Sequence, residues 1–458
     1  MNTAQDFGKD FIWKLISKTG IPAIISMIVV VIYNMADTFF VGQTHNDMMV
    51  AAVSLAAPIF TLMITVGTLI GSGGCAVISN VLGAGNQERA KHISSFCVYA
   101  SVAIGLLFTA ALLIFAEPVL LAIGATENTI SFACSYTHWI AIGAVFIIFS
   151  NTLSNIIRAE GAARESMIGN LIGTITNIVL DPIMILCMGM GVQGAAVATV
   201  IGNMFACLFY VYYFYRKKDS LLSLSLKDFS MRGGIASSVF SIGLPGALGN
   251  LLMSFSNIFM NILLAGYGDN AVAAMGVAMK VGMIVVMLQM GLATGVLPIL
   301  SYNYGAENFD RLKETIKKSG IVCMGLGVIL TVICFTVCEA IVSSFVTGAE
   351  VITLGIDMTK AIILSGPFIG LYFLCISIMQ ALGKSTAPII VSLLRQGIIY
   401  VPLMYLLNYF FELNGLIYTQ LISDYIGILA AIIACTAILK SCIGNKELCI
   451  TEVKERNS

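Results

Sequence analysis

Two carboxylates stand in stretches of sequence that are otherwise unsuited to charge. Asp37 lies in Tyr33-Asn34-Met35-Ala36-Asp37-Thr38-Phe39-Phe40, and Asp181 in Thr176-Asn177-Ile178-Val179-Leu180-Asp181-Pro182. An acidic side chain at bilayer depth costs at least about 2.5–3.5 kcal/mol on insertion scales, so each needs a function or a partner. Residues four apart share a helix face, which places Tyr33 beside Asp37 and Asn177 beside Asp181. Two buried acids that face one another cannot both ionise cheaply and are expected to share a proton. That is the chemistry of proton coupling. Pro182 removes a backbone donor next to Asp181 and permits a bend there. The plainer alternative is that both acids satisfy backbone groups freed at a broken helix, a costly device to use twice in one region.

Other polar residues share these apolar runs. Asn151, Asn155, Asn170, Thr199 and Asn203 lie in the same half of the chain as the acids, and each alone suits helix–helix hydrogen bonding more than ligand binding. Asn34 adjoins Tyr33 as a further supporting polar group. The second half embeds Lys280, Gln289, Arg395 and Asp424, of which the last two are expected to pair. Lys280 either snorkels to the outer interface or lines a cavity. Asn250, Asn257, Lys280 and Met287 are the candidates for a cavity wall in that half, where Met253, Met260, Met279, Met283 and Met290 add adaptable apolar surface.

The elements that position these groups follow from composition. The chain has 458 residues, 58% of them hydrophobic and 10% charged, with a mean hydropathy of +0.95. Soluble domains carry about 25% charged residues, so this chain belongs in a lipid bilayer. Basic and acidic residues balance at 24 each, which argues against nucleic acid as a partner. The twelve cysteines show no CxxC or Cys/His ligand spacing, so no metal site or cofactor is expected from them. Apolar runs long enough to span fall near 20–42, 50–74, 93–116, 131–156, 166–188, 192–215, 235–266, 272–300, 318–345, 357–380, 386–411 and 415–440. The fold class expected is therefore an all-α integral membrane protein of twelve transmembrane helices. No β-barrel alternation interrupts these runs.

Charge placement assigns the sides. Lys9, Lys14 and Lys18 precede span 1, and Arg89, Lys91, Arg158, Arg164, Arg216, Lys217, Lys218, Lys227, Arg232, Arg311 and Lys384 fall in connections of one side. The opposite connections hold Asp47, Glu117, Glu127, Asp269, Glu339, Glu350, Asp357 and Glu412, with Lys360 as their only base. Both termini are then cytoplasmic. The halves also repeat, at an offset of about 222 residues. Gly20-Ile-Pro22 matches Gly243-Leu-Pro245, Gly83-Ala84-Gly85-Asn86 matches Gly305-Ala306-Glu307-Asn308, Gly161 matches Gly383, and Gly194 matches Gly415. Six spans per copy make the repeat parallel, so two pseudo-symmetric six-helix lobes are expected. The organisation is an interfacial amphipathic segment over 1–19, an N-lobe over 20–215, a cytoplasmic linker over 216–234, a C-lobe over 235–440 and a cytoplasmic tail over 441–458. Met260 and Leu403 occupy roughly the repeat positions of Asp37 and Asp181, so acid stands in the first half alone at these places.

Two motifs mislead. Gly189-Met-Gly191-Val-Gln-Gly194 satisfies GxGxxG but lies between apolar helices, and Gly383-Lys384-Ser385-Thr386 lacks the upstream glycine of a P-loop. The histidines, His45, His92 and His138, are far apart, and no catalytic constellation of the kind an enzyme needs is present.

Twelve spans, a parallel duplication, Asn34-Met35-Ala36-Asp37-Thr38-Phe39-Phe40-Val41-Gly42, Gly83-Ala84-Gly85-Asn86, Gly161 and Asn177…Asp181-Pro182 resemble the MATE (multidrug and toxic compound extrusion) transporters. The likeness runs over nearly the whole chain and is greatest to the prokaryotic branch with an acidic proton site in the N-lobe. The resemblance implies a monomer of the cytoplasmic membrane that exports organic cations and amphipathic compounds in exchange for H+ or Na+. It implies Asp37 and Asp181 as coupling carboxylates, surrounded by Tyr33, Asn177, Thr199 and Asn155, with Asn151 in the place of Asn155 if span 4 is shifted by a turn. A flippase for lipid-linked sugars is the alternative within the same superfamily. Members with a cation site in the C-lobe place acids in spans 7 and 10, and this chain departs from them: span 7 has Asn250, Asn257 and Asn261.

Overall fold

The computed structural model describes residues 4–44, 46–217, 219–346 and 348–456, with the side chains of Thr38, Asp47, Ile443 and 445–456 left aside; His45 and Lys218 lie outside the described residues. The first half folds into α1 (Ile12–Gly42), α2 (Asp47–Gly83), α3 (Gln87–Ile123), α4 (Ile130–Ala159), α5 (Ala163–Asp181) and α6 (Val192–Arg216). The second half folds into α7 (Ile235–Ala265), α8 (Asp269–Gly305), α9 (Phe309–Thr336), α10 (Cys338–Phe345), α11 (Ala349–Ile363), α12 (Gly366–Ala381), α13 (Thr386–Leu393) and α14 (Tyr400–Arg456). Among the described residues ten helices are long and apolar enough to cross a membrane, or eleven if α11 and α12, bent by 42°, form one span. α14 divides again at Glu412, where φ is 51° and ψ −134°, and the two parts complete twelve spans.

Span 10 is broken where the sequence reads as one run over 357–380. The interruption at Leu364-Ser365 precedes Gly366-Pro367, and a proline cannot donate the backbone hydrogen bond that would carry the helix through. Spans 5 and 11 each contain a π-helical segment, Pro182–Cys187 and Leu394–Ile398. The first follows from the missing donor at Pro182.

The repeat is visible in the backbone itself. Gly85 (φ 79°) and Glu307 (φ 54°) make equivalent left-handed turns, after which Asn86 and Asn308 cap α3 and α9 by accepting from the amides of Arg89 and Arg311 at 3.0 and 3.3 Å. Gly191 has φ 55° and ψ −129°, nearly the angles of Glu412. Three residues further on, Gly194 and Gly415 each lie against the backbone of the preceding span, where a Cβ would meet Met184 C at 2.8 Å and Leu407 O at 2.0 Å.

Within the N-lobe α4 is central, packed on α2, α3 and α6, with α5 between α6 and α1. In the C-lobe α8 takes a similar place, against α9, α11 and α12. The lobes meet through α1 on α8 and through α2 on α7 and α8. Glycine permits the closest approaches. A Cβ at Gly243 would lie 1.8 Å from Leu69 O, one at Gly73 2.0 Å from Val239 O, one at Gly305 1.9 Å from Asn80 O and one at Gly83 2.1 Å from Tyr302 O. All four contacts lie in the halves of the helices that bear the linker. Small residues let backbones approach in this way where lipid supplies no hydrophobic drive to association.

The segments outside the spans pack on protein. Residues Ala4–Gly8 form a 3-10 turn in which Ala4 and Phe7 are buried, Phe7 edge-on to Tyr302 at 5.9 Å. Arg311 and Asn303 donate to Phe7 O at 3.2 and 3.3 Å. From Ile12 onward the expected interfacial segment over 1–19 is the first part of α1 itself, with Ile12, Leu15 and Ile16 buried. The linker is strapped to the N-lobe. His92 pairs with Asp228 O at 2.7 Å, and Ser95, Tyr99 and Ser94 donate to the carbonyls of Ser225, Leu224 and Ser223 at 2.8, 2.9 and 3.2 Å. Glu160, wholly buried at the end of α4, accepts from Tyr213 OH at 2.6 Å, Ser220 Oγ at 2.9 Å and the Leu221 amide at 3.2 Å, and pairs with Lys217 at 3.2 Å.

Candidate functional site

Asp37 and Asp181 converge within the N-lobe because α1 packs on α5. Asp181, the last residue of α5, is wholly buried at the entry to the π segment. Its Oδ1 accepts from Asn177 Nδ2 at 3.3 Å, the i,i+4 neighbour that helical spacing places there. Asn177 Nδ2 also reaches Thr199 Oγ1 of α6 at 3.3 Å, and Thr199 Oγ1 shares a hydrogen bond of 3.3 Å with Tyr33 OH of α1. Asn203 donates to Thr199 O at 2.9 Å and accepts from Ser150 Oγ of α4 at 2.8 Å. One hydrogen-bonded network thus joins four helices and ends on Asp181.

The network leaves acceptors unused. Asp37 Oδ1, Asp181 Oδ2 and Asn177 Oδ1 are buried and have no hydrogen-bond partner in the protein. A buried carboxylate oxygen without a donor costs free energy that a bound proton or a small cation relieves. The two acids stand on helices packed against one another, so charging both places like charges in the interior of one lobe. The arrangement is chemically suited to taking up one positive charge and giving it up again.

Not every residue anticipated for this site joins it. Asn34 is on the exposed side of α1, its amide donating to Val30 O at 2.9 Å. Asn155 donates to Asn151 O and Oδ1 at 2.9 and 3.1 Å, and both asparagines face α2, where only Gly67 and Gly71 leave them room. Asn170 bonds Ser154 and Tyr210 closer to the linker end. In the C-lobe, Asn250, Asn257 and Met287 are half-buried, and exposed Lys280 holds its ammonium 5.7 Å from the centre of the Phe345 ring. Arg395 and Asp424 form the anticipated pair, Nε and Nη2 each 2.8 Å from Oδ1.

Three residues carry no signal in the sequence. Tyr136 of α4 is buried in the N-lobe core, and a lone tyrosine in an apolar run reads as packing. Ser150 is likewise silent until Asn203 is seen above it. Glu160 reads as one more charge at a span end.

A family-model comparison decides the lineage of this architecture: MatE matches residues 22–183 and again 245–406, one copy per lobe. The chain belongs to the MATE family. Its relatives include the multidrug export protein MepA of Staphylococcus aureus strain MSSA476, 33% identical over 431 residues, covering 93% of this chain and 94% of MepA. MepA of Staphylococcus saprophyticus is 31% identical over 427 residues, with the same coverage of both chains. Among solved structures, an outward-facing multidrug resistance MATE family transporter of the MOP superfamily superposes with a TM-score of 0.92 at 24% identity, covering 96% of this chain and 99% of that one. A MOP superfamily transporter from Pyrococcus furiosus, described as having reversed polarity in its binding pocket, gives 0.90 at 24% identity, with 95% and 98% covered. These two likenesses concern the fold. Members of this family are transporters and not enzymes, and the chain is a multi-pass membrane protein of two lobes and twelve helices.

Proposed function

We propose that this transporter is a proton-coupled multidrug exporter that exchanges organic cations and amphipathic compounds for H+ bound at Asp37 and Asp181. The observation that carries the reading is the set of buried, unpartnered oxygens on these two acids, one of which, Asp181, ends a hydrogen-bonded network at the entry to the π segment. The name of MepA, a multidrug export protein, supports the substrate class. The basic residues of the linker end support a cytoplasmic placement of both termini in the cell's inner membrane. In the conformation described, the lobes are closed at that end.

In the cycle proposed, deprotonated acids favour substrate arriving from the cytoplasm or the inner leaflet. Protonation from outside removes the repulsion between Asp37 and Asp181, rearranges the hydrogen bonds through Asn177 and Thr199, and bends span 1 or 5 so that substrate leaves outward. Antiport requires that proton and substrate favour opposite sides of one equilibrium.

The test is dye efflux from inverted vesicles under separately imposed pH and Na+ gradients. A pH gradient should drive efflux, and Asp37→Asn or Asp181→Asn should abolish it while the protein still folds. Efflux driven by Na+ alone would transfer the role of coupling ion to sodium at the same carboxylates. Transport of a lipid-linked oligosaccharide without dye efflux would favour a flippase.

A further inference from the structure

The C-lobe holds a second buried polar cluster, and its place in the repeat is informative. Spans 6 and 12 are aligned by Gly194 and Gly415, which pairs Thr199 with Gln420 and Asn203 with Asp424. Spans 5 and 11 are aligned by Gly161 and Gly383, which pairs Gly173 with Arg395. Packing confirms the register. A Cβ at Gly173 would meet Ala206, and a Cβ at the equivalent of Ala206, Gly427, would meet the Cβ and Cγ of Arg395 at 2.8 Å. Where the N-lobe has a glycine crossing and a neutral Asn203, the C-lobe has a guanidinium and a carboxylate.

The two lobes differ most in how their acids are satisfied. Asp424 Oδ1 accepts from Arg395 Nε and Nη2, both at 2.8 Å, and from Gln420 Nε2 at 2.7 Å, while Oδ2 accepts from Ser365 Oγ at 2.9 Å. No oxygen of Asp424 is left without a donor, in contrast to Asp37 and Asp181. The guanidinium lies 4.6 Å from the centre of the Tyr372 ring, and the π segment that carries Arg395 turns it toward span 12. Ser365 sits at the break in span 10, so the cluster ties together spans 10, 11 and 12. Arg395 and Asp424 are only 6% and 2% exposed, and a buried carboxylate that stays ionised needs a counter-charge or donors beside it.

We propose that Arg395 is a tethered cation, occupying beside Asp424 the position that a diffusible monovalent cation would otherwise take in the C-lobe. The Asp424 carboxylate and the Ser365 hydroxyl supply the oxygen ligands of that masked site, while Gln420 faces Asp424 with its Nε2 donor. Because the guanidinium stays charged at any physiological pH, the C-lobe keeps one charge state through the cycle. Its consequence for transport rests on the coupling reading given above: ion exchange is confined to the N-lobe.

The test uses purified full-length protein in detergent, with the thermal midpoint measured in NaCl, in millimolar guanidinium chloride and in N-methylglucamine chloride at equal total chloride. The wild type should give the same midpoint in all three. Arg395→Ala should be destabilised and recover several degrees with guanidinium or Na+, and Arg395→Ala/Asp424→Asn should lose that recovery. Arg395→Gln, which fills more of the space without charge, serves if the alanine variant does not fold, and should respond to Na+ in the same direction. An Arg395 variant no more cation-responsive than the wild type, or a double variant that responds equally, overturns the proposal. The readout is cation binding at Asp424, so its failure leaves the roles of Asp37 and Asp181 untouched, and their failure leaves it intact.

Discussion

Gly243→Ala should tip the transporter out of the conformation described above. At this crossing of α7 over α2, a Cβ would stand 1.8 Å from Leu69 O, whereas real Cβ contacts do not fall below 3.0 Å. Both sides of the contact are helix backbone, so no side chain can swing aside and the helices must part by more than 1 Å. Overpacking of this kind costs about 1–3 kcal/mol. The cost applies only while the linker-end seam is closed, because opening that seam removes the contact. The ratio of protein open at the linker end to protein closed there should therefore rise about fivefold or more, since 1.4 kcal/mol is a factor of ten. Spin labels at exposed Gln87 and Asp310, one on each lobe at the linker end, would report this as a longer-distance population in a background free of native cysteines. Gly249→Ala, on the same helix with nothing within 4 Å of its Cβ, is the control and should leave the distribution unchanged. Identical distance distributions for Gly243→Ala and the wild type would refute the claim that glycine contacts hold the lobes together.

Other consequences follow from the backbone and the linker. Glu412 holds angles suited to glycine, at a cost of about 1–3 kcal/mol, so Glu412→Gly should raise the thermal midpoint by roughly 2 °C after glycine's own entropy loss. A lowered midpoint would mean that the Glu412 side chain contributes more than its backbone costs. Glu160→Ala leaves the Tyr213 hydroxyl, the Ser220 hydroxyl and the Leu221 amide without their acceptor. Loss of one partner of a buried charge pair costs about 3–5 kcal/mol, toward the low end here because Lys217 is partly solvated. Trypsin should then cut the linker at exposed Lys227 faster than in the wild type, and an unchanged cleavage rate would argue against the strap.

Much of this architecture is written in local chemistry. Apolar run length reveals spans, since each must cross the same thickness of hydrocarbon. The repeat is legible because backbone turns demand particular residues: Gly85-Asn86 and Glu307-Asn308 cap equivalent helices, and Gly161 and Gly383 both have positive φ. The acids are legible because charge in an apolar run is costly, and Asn177 beside Asp181 follows from helical spacing. What spacing does not supply is the neighbour. It orders residues around one helix but does not say which helix they face, so Asn155, or Asn151 one turn away, reads as part of the acid site, whereas both meet the glycines of α2. Ser150 joins the site only through packing, by its hydrogen bond to Asn203. The N-terminal segment has the amphipathic composition of a membrane-surface helix, yet Phe7 is buried on Tyr302, because an apolar face fits a protein groove as well as lipid. Glu412 shows the reverse case, in which a glycine conformation persists without the glycine that would have announced it.

The central claim is that Asp37 and Asp181 exchange a proton for substrate, and counting protons tests it most directly. Purified protein in weakly buffered detergent solution would be mixed with an ethidium-like cation while a pH indicator records release. The wild type should release protons on binding, and Asp181→Asn and Asp37→Asn should bind the dye with that release reduced or lost. Dye binding without proton release in the wild type, or release of the same size in both variants, would contradict the account.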